Sequence, residues 1–149
     1  MILESSGYNY IVCSPDIDET RYEHIEPIEK VQKIALEKNI AIVARDEYPE
    51  NIIITADTLC LLPDGTTLPK PRNAEESIQM SLLQSGKTIQ AITGMCISSL
   101  HDEKREYTIR YSSTVITYCA FSREEITQLH QKHTVTHIAS GLGIWKDAP

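Results

Sequence analysis

Asp57 stands in the middle of an apolar run, Ile52 to Leu62, where a carboxylate displaces surface that could have been buried, and Lys70 waits on the return path beyond Pro63-Asp-Gly65. A two-residue turn at Asp64-Gly65 sets Leu59 opposite Lys70. Asp57 then lies on the same face as Leu59, diagonal to the lysine at ~7–8 Å between Cβ atoms. Converging lysines, or a divalent metal held on carboxylates, can take up a compact polyanion. The same residues also make an ordinary exposed cross-strand ion pair, worth ~0–1 kcal/mol. The relation depends on the turn, because a three-residue loop shifts the register by one and rotates the two charges apart.

Composition narrows the ligand. The chain has 149 residues, 41% hydrophobic and 23% charged, with a formal charge of -7. That size predicts one globular domain over residues 1–149. An acidic chain without a basic stripe is a poor partner for a nucleic-acid polymer, whose phosphate backbone is held by clustered lysine and arginine. No stretch reaches the ~18 apolar residues of a membrane span, and Met1-Ile-Leu-Glu-Ser-Ser-Gly7 lacks a signal-peptide pattern, so a cytoplasmic protein with no membrane partner is expected. Cys13, Cys60, Cys96 and Cys119 form no C-x-x-C pair and lie in or beside apolar runs, which predicts buried, reduced thiols.

The elements that must position the charges follow from periodicity. Residues 8–13 read as a strand entering the loop Ser14-Pro-Asp-Ile-Asp-Glu-Thr20, in which Asp16 and Asp18 are turn formers. Pro27 opens an amphipathic helix over about 28–45. Ile52 to Leu62 is a β-branched strand ending in a hairpin signal. Asn73 caps a helix ending near Ser85-Gly86. Lys87 to Ser99 and Tyr107 to Ala120 are two strand-like runs joined by a polar turn over 101–106, and Ser122-Arg-Glu-Glu125 is a capping box opening a helix to about Lys132. The alternation predicts an α/β domain with a mixed, twisted sheet flanked by helices.

Several blocks, in order, resemble the Maf family of nucleoside triphosphate pyrophosphatases. They are Pro15-Asp-Ile-Asp-Glu19, Ile34-Ala-Leu-Glu-Lys38, Ala56-Asp-Thr58 with Asp64-Gly65 and Lys70-Pro71, and Ser85-Gly-Lys87 with Thr93-Gly94. The resemblance runs from about Ser6 to Ile144. It implies a Maf/ITPase-like cleft fold and hydrolysis of a nucleoside triphosphate between its α and β phosphates, giving a monophosphate and pyrophosphate with magnesium or manganese. By the same resemblance Glu19 and Asp57 are metal ligands, and Asp57 also orients or deprotonates the attacking water. Lys38, Thr58 and Lys70 bind substrate, Lys70 acting with Asp57 in catalysis. Taken alone, Lys38 also reads as a solvated helix lysine and Glu19 as a loop carboxylate.

The chain departs from the family pattern in ways that imply a frame trimmed at both ends. It begins where the family's first helix ends, without the S-x-S-P-R-R loop, and it stops at Pro149 ahead of an N-V-x-G-L-P segment. The D-K-A-G-x-Y-G-I-Q block is here His137-Ile-Ala-Ser-Gly-Leu-Gly-Ile-Trp145. Losing an arginine pair removes charge-assisted hydrogen bonds of ~1.5–3 kcal/mol each. The alternative reading is therefore a catalytically impaired relative that binds nucleotide or a partner, with a regulatory role in septum formation. A missing first strand exposes a sheet edge, which predicts a homodimer or marginal stability. Two other motifs carry less. Ser81 to Thr88 half-resembles a P-loop but runs from helix into strand. His130, His133 and His137 have metal-like spacing over a segment whose β-branched residues disfavour helix.

Overall fold

The computed structural model describes residues 2–132 and 139–142. A short helix α1 (Ile2–Ser5) leads through an extended segment to a 3-10 turn at Glu19–Tyr22 and then to α2 (Pro27–Val43). There follow β1 (Ile53–Leu61), β2 (Thr67–Leu68), α3 (Ala74–Gln84), β3 (Thr88–His101), β4 (Lys104–Thr117) and α4 (Arg123–Lys132), with a second 3-10 turn at Ala139–Gly141. The strands form one sheet in the order β2-β1-β3-β4.

The α/β class and the helices flanking a sheet are as expected from sequence. The sheet differs in one respect: a mixed sheet was expected, and every strand pair among the described residues is antiparallel. The reason lies in residues 8–13, expected as a strand, which are extended but belong to no strand among the described residues and leave Tyr8, Ile11 and Val12 exposed. A β-branched segment needs a neighbouring ladder to become a strand. The β3–β4 turn is also tighter than expected, only Asp102 and Glu103 at positive φ, so both strands extend through the polar residues assigned to the turn.

Helix caps follow the sequence closely. The Asn73 side chain accepts from the Glu76 N–H at 2.9 Å, and Ser122 and Glu125 bond reciprocally, the Ser122 N–H to Oε2 at 2.7 Å and the Glu125 N–H to Oγ at 3.3 Å. Pro27 occupies the first turn of α2, where its missing N–H costs nothing.

One face of the sheet is covered by α2. Val31, Ile34, Ala35 and Ile42 are buried from the helix, against Leu59, Ile92 and Cys96 from the strands. Full burial of each large aliphatic stabilises by about 1.5–3 kcal/mol. The approach is closest at Gly94, where an added Cβ would sit 2.7 Å from Gln32 N and closer still to the Val31 carbonyl. Beside it, Asn39 is wholly buried and donates to Ile53 O (3.0 Å) and Cys96 O (3.3 Å) while accepting from Ser98 Oγ (2.6 Å). These bonds satisfy a buried amide and fix the helix along its axis. At the β2 end of the sheet, α3 and α4 enclose Ile78, Ile126 and Leu142 with Tyr118 and Phe121, whose rings meet edge to face at 6.3 Å.

Candidate active site

Strand alternation decides which side chains can meet. In β1, Asp57 pairs with Gly94 of β3 and so faces α2. The absent Cβ at Gly94 lets the helix lie low on the sheet, and about two turns beyond Val31 the Lys38 side chain reaches over β1. Its Nζ lies 2.8 Å from Asp57 Oδ1 and 2.8 Å from Glu19 Oε1. Lys38 and Asp57 are largely buried, with side-chain exposures of 13% and 14%, while Glu19 keeps 51% and forms the open side of the cluster. Burial pulls the Lys38 ammonium down, but its hydrogen bonds to Asp57 and Glu19 more than offset this, and its pKa stands above the usual lysine range. It is a fixed cation at neutral pH.

Glu19 is placed by its own turn. Asp18 caps that turn, accepting from Thr20 N–H (3.1 Å) and Thr20 Oγ1 (2.6 Å); the hydroxyl bond, with the backbone bond, holds the Asp18 carboxyl below the usual range. This is the turn-forming role expected of it. The turn is clasped to α2 through Glu37, which takes Arg21 Nη1 at 2.9 Å and a short hydrogen bond from the Tyr22 hydroxyl. Sequence reasoning missed Arg21, Tyr22 and Glu37. Their only signal was adjacency, since Glu37 precedes Lys38 and Arg21 and Tyr22 follow Glu19. Thr55, two residues from Asp57 on the same face, donates from Oγ1 to Ala35 O at 2.6 Å and pins strand to helix.

Lys70 and Thr58 do not join this cluster. Cys60 pairs with Leu68 and Leu61 with Thr67, and the Leu62 N–H donates to Thr66 O at 2.9 Å. The loop is therefore Pro63-Asp64-Gly65, three residues with Gly65 at φ 84, and not the two-residue turn that would have set Lys70 diagonal to Asp57. Lys70 lies past the end of β2, exposed and without an ion pair to any described residue. Pro69 and Pro71 flank it, and Pro69 O accepts from the Ser140 N–H at 3.3 Å. Thr58 points to the opposite face from Asp57, where its Oγ1 bonds Thr93 Oγ1 at 2.9 Å. Alternation along a strand separates adjacent residues in this way, so the substrate-binding role expected for Thr58 lacks the geometry of a shared face.

The donor chemistry fits a hard divalent cation. Magnesium commonly takes one or two carboxylates and completes its shell with water and phosphate oxygens. Glu19 and Asp57 supply two such groups, each with one oxygen held by Lys38 and the other free of hydrogen bonds from described residues. Among the described residues no cluster of three or more His, Cys, Asp or Glu converges. Of the histidine motif, His133 and His137 lie outside the described residues, as does Trp145. His130 is half-buried with Nε2 3.3 Å from Ser81 Oγ, and burial holds its pKa down. The segment Ser81 to Thr88 runs from α3 into β3, the wrong order for a P-loop. All four cysteines are free thiols, yet only Cys60 and Cys96 are buried. Cys13 belongs to the extended segment before the first 3-10 turn and is half-buried, and Cys119 is exposed beyond the end of β4, which corrects the expectation that all would be enclosed. Two open surface depressions, one along α4 and one beside the β1–β2 loop, do not touch the Glu19–Lys38–Asp57 cluster. No helix among the described residues is long and apolar enough to cross a membrane.

Comparison with known proteins bears out the family resemblance read from the motifs. The chain is similar to a protein of Vibrio parahaemolyticus named 7-methyl-GTP pyrophosphatase, 31% identical over 148 residues, covering 96% of this chain and 74% of the relative. It is similar to proteins named dTTP/UTP pyrophosphatase from Phocaeicola vulgatus, 35% identical over 144 residues, and Bacillus pumilus, 32% over 143, each covering 96% of this chain and 72% of the relative. The family described as Maf-like protein matches residues 1–148. With the match running nearly end to end, the chain belongs to the Maf family.

Proposed function

We propose that this protein hydrolyses a nucleoside triphosphate between its α and β phosphates, releasing a nucleoside monophosphate, pyrophosphate and a proton. The observation that carries the reading is the Lys38 ammonium held 2.8 Å from both Asp57 and Glu19, one cation between two carboxylates at the border of buried and open surface. Relatives of this chain that bear pyrophosphatase names add to it.

The roles follow from charge and placement. Lys38 stays protonated at neutral pH, so incoming phosphate oxygens meet a positive charge whose present partners they can replace. Asp57 then has an oxygen to accept a hydrogen bond from water and take its proton as that water attacks the α-phosphorus. The bond from the α-phosphorus to the bridging oxygen breaks, and pyrophosphate leaves. Magnesium or manganese held by Glu19 and Asp57 would neutralise charge developing on the phosphate oxygens. β1 is unpaired on its β2 side before Cys60 among the described residues, and Lys70 lies beyond that edge. A triphosphate crossing the edge would have Lys38 at one end and Lys70 at the other. The expected setting is the cytosol, where the substrate pool lies.

Pyrophosphate release from a panel of standard and modified nucleoside triphosphates, with magnesium or manganese, tests the proposal against Asp57→Asn. Release that disappears in the variant supports it. Nucleotide that raises the melting temperature in the presence of metal, with no release above the variant, replaces it with the binding-only alternative.

A further inference from the structure

Strand β4 is the outer strand of the sheet and, among the described residues, pairs only with β3, along its whole length from Lys104 to Thr117. An outer strand this long presents a row of unpaired backbone donors and acceptors, a ready template for another strand. Its α2 face carries exposed apolar and aromatic side chains: Tyr107, Tyr111 and Val115 are 40%, 51% and 68% exposed. On the opposite face Glu106 and Arg110 are exposed, and neither forms an ion pair with a described residue. Four residues apart on one strand, they are separated by about 13 Å and cannot pair with each other.

We propose that β4 docks antiparallel against β4 of a second copy of this chain, about a two-fold axis passing beside Thr108. In a two-fold antiparallel pair the central residue faces its own copy, and residues equally spaced on either side of it face one another. Centring on Thr108 sets Glu106 opposite the partner's Arg110 and Arg110 opposite the partner's Glu106. It also sets Tyr107 opposite the partner's Ile109, twice, with a threonine pair at the axis. These are the cross-strand combinations that stabilise sheets. Other registers lose this match. Centring on Arg110 stacks two guanidinium groups, and centring on Tyr111 sets the Glu106 carboxylate against the partner's Ile116. Charge complementarity therefore selects both the occupant and the register. The interface is independent of the Glu19–Lys38–Asp57 cluster, which lies on β1 and α2.

Sedimentation equilibrium on the full chain tests this through charge reversal. The unmodified protein is expected to be a dimer whose dissociation constant rises with salt. Glu106→Arg and Arg110→Glu, as single changes, set like charges opposite each other twice and are expected to weaken the dimer by about 30-fold or more. The double reversal restores opposite charges and is expected to restore the dimer, a result that general damage to the strand would not give. Register is tested by Thr108→Cys in a Cys13→Ser, Cys119→Ser background. Copies of residue 108 would lie about 4.5–5.5 Å apart at Cα, within disulfide range, and oxidation should cross-link them. Ser112→Cys in the same background should not, because its two copies would lie about 27 Å apart. A monomer at every concentration overturns the proposal. So does a dimer indifferent to both single reversals, or one without the Thr108→Cys cross-link.

Discussion

Replacing Lys38 with methionine keeps the stem that packs against β1 and removes only the cation, leaving the Asp57 carboxylate largely buried with no opposite charge beside it. At 2.8 Å and an effective dielectric of about 20, each Lys38–carboxylate contact is a gross attraction of about 6 kcal/mol, most of it cancelled by the cost of desolvating the charges. What remains visible is the stranded carboxylate. At 14% exposure, Lys38→Met is expected to destabilise the fold by about 3 kcal/mol. Asp57→Asn should cost less, about 1–2 kcal/mol, because Lys38 keeps the open, half-exposed Glu19 as partner. The double variant buries no unpaired charge and should be more stable than the sum of the singles by about 1–2 kcal/mol. Urea denaturation followed by circular dichroism at pH 7 gives all corners of the cycle. The pH dependence has a definite sign. The folded-state pKa of Lys38 is raised, so its stabilisation is complete below the ordinary lysine value and is lost only as pH rises through the raised one. Additivity within about 0.5 kcal/mol, or a single variant as stable as the parent, would refute the view that Lys38 and Asp57 act as one coupled pair.

Gly94→Ala forces a Cβ into the backbone of α2 at Val31 and Gln32, and about 2–3 kcal/mol of stability should be lost, read as a melting temperature lower by about 6–10 °C. Glu37→Gln and Tyr22→Phe release the turn that carries Glu19. Pyrophosphate release should fall about 5–10-fold in kcat/KM while stability changes by under about 1 kcal/mol, since the Arg21 contact is mostly exposed. His130 is held neutral by burial, with its pKa depressed. The stability tied to it is complete above about pH 6.5 and is lost as pH falls through the depressed value. Denaturation midpoints should decline over that window in the parent and stay flatter in His130→Gln.

Much of the local structure was legible because its determinants are local. The Asn73 cap, the Ser122–Glu125 box, Pro27 in a first turn and the period of Val31, Ile34, Ala35 and Ile42 each depend on residues within one or two turns, and each is found where the sequence implied. The same holds for the candidate residues taken singly. A carboxylate inside a β-branched run and a lysine on an amphipathic helix are visible as anomalies before any fold is known.

Which of them meet was not legible. A two-residue hairpin turn sets Asp57 near Lys70, but the loop has one residue more, Lys70 is turned away, and Asp57 meets Lys38, 19 positions back on α2. A register slip of a single residue reverses every side chain of a strand, and Pro63-Asp64-Gly65 is compatible with a two-residue or a three-residue loop. Tyr8 to Cys13 has the composition of a strand, yet only a neighbouring ladder can make it one, and none of the described residues provides it. Helices, their caps, the sheet-forming runs and the anomalous charges are set by residues close together in the chain. Their partners are set by the packing of α2 at Gly94 and the pairing of distant strands, because those depend on contacts that no short stretch of chain contains.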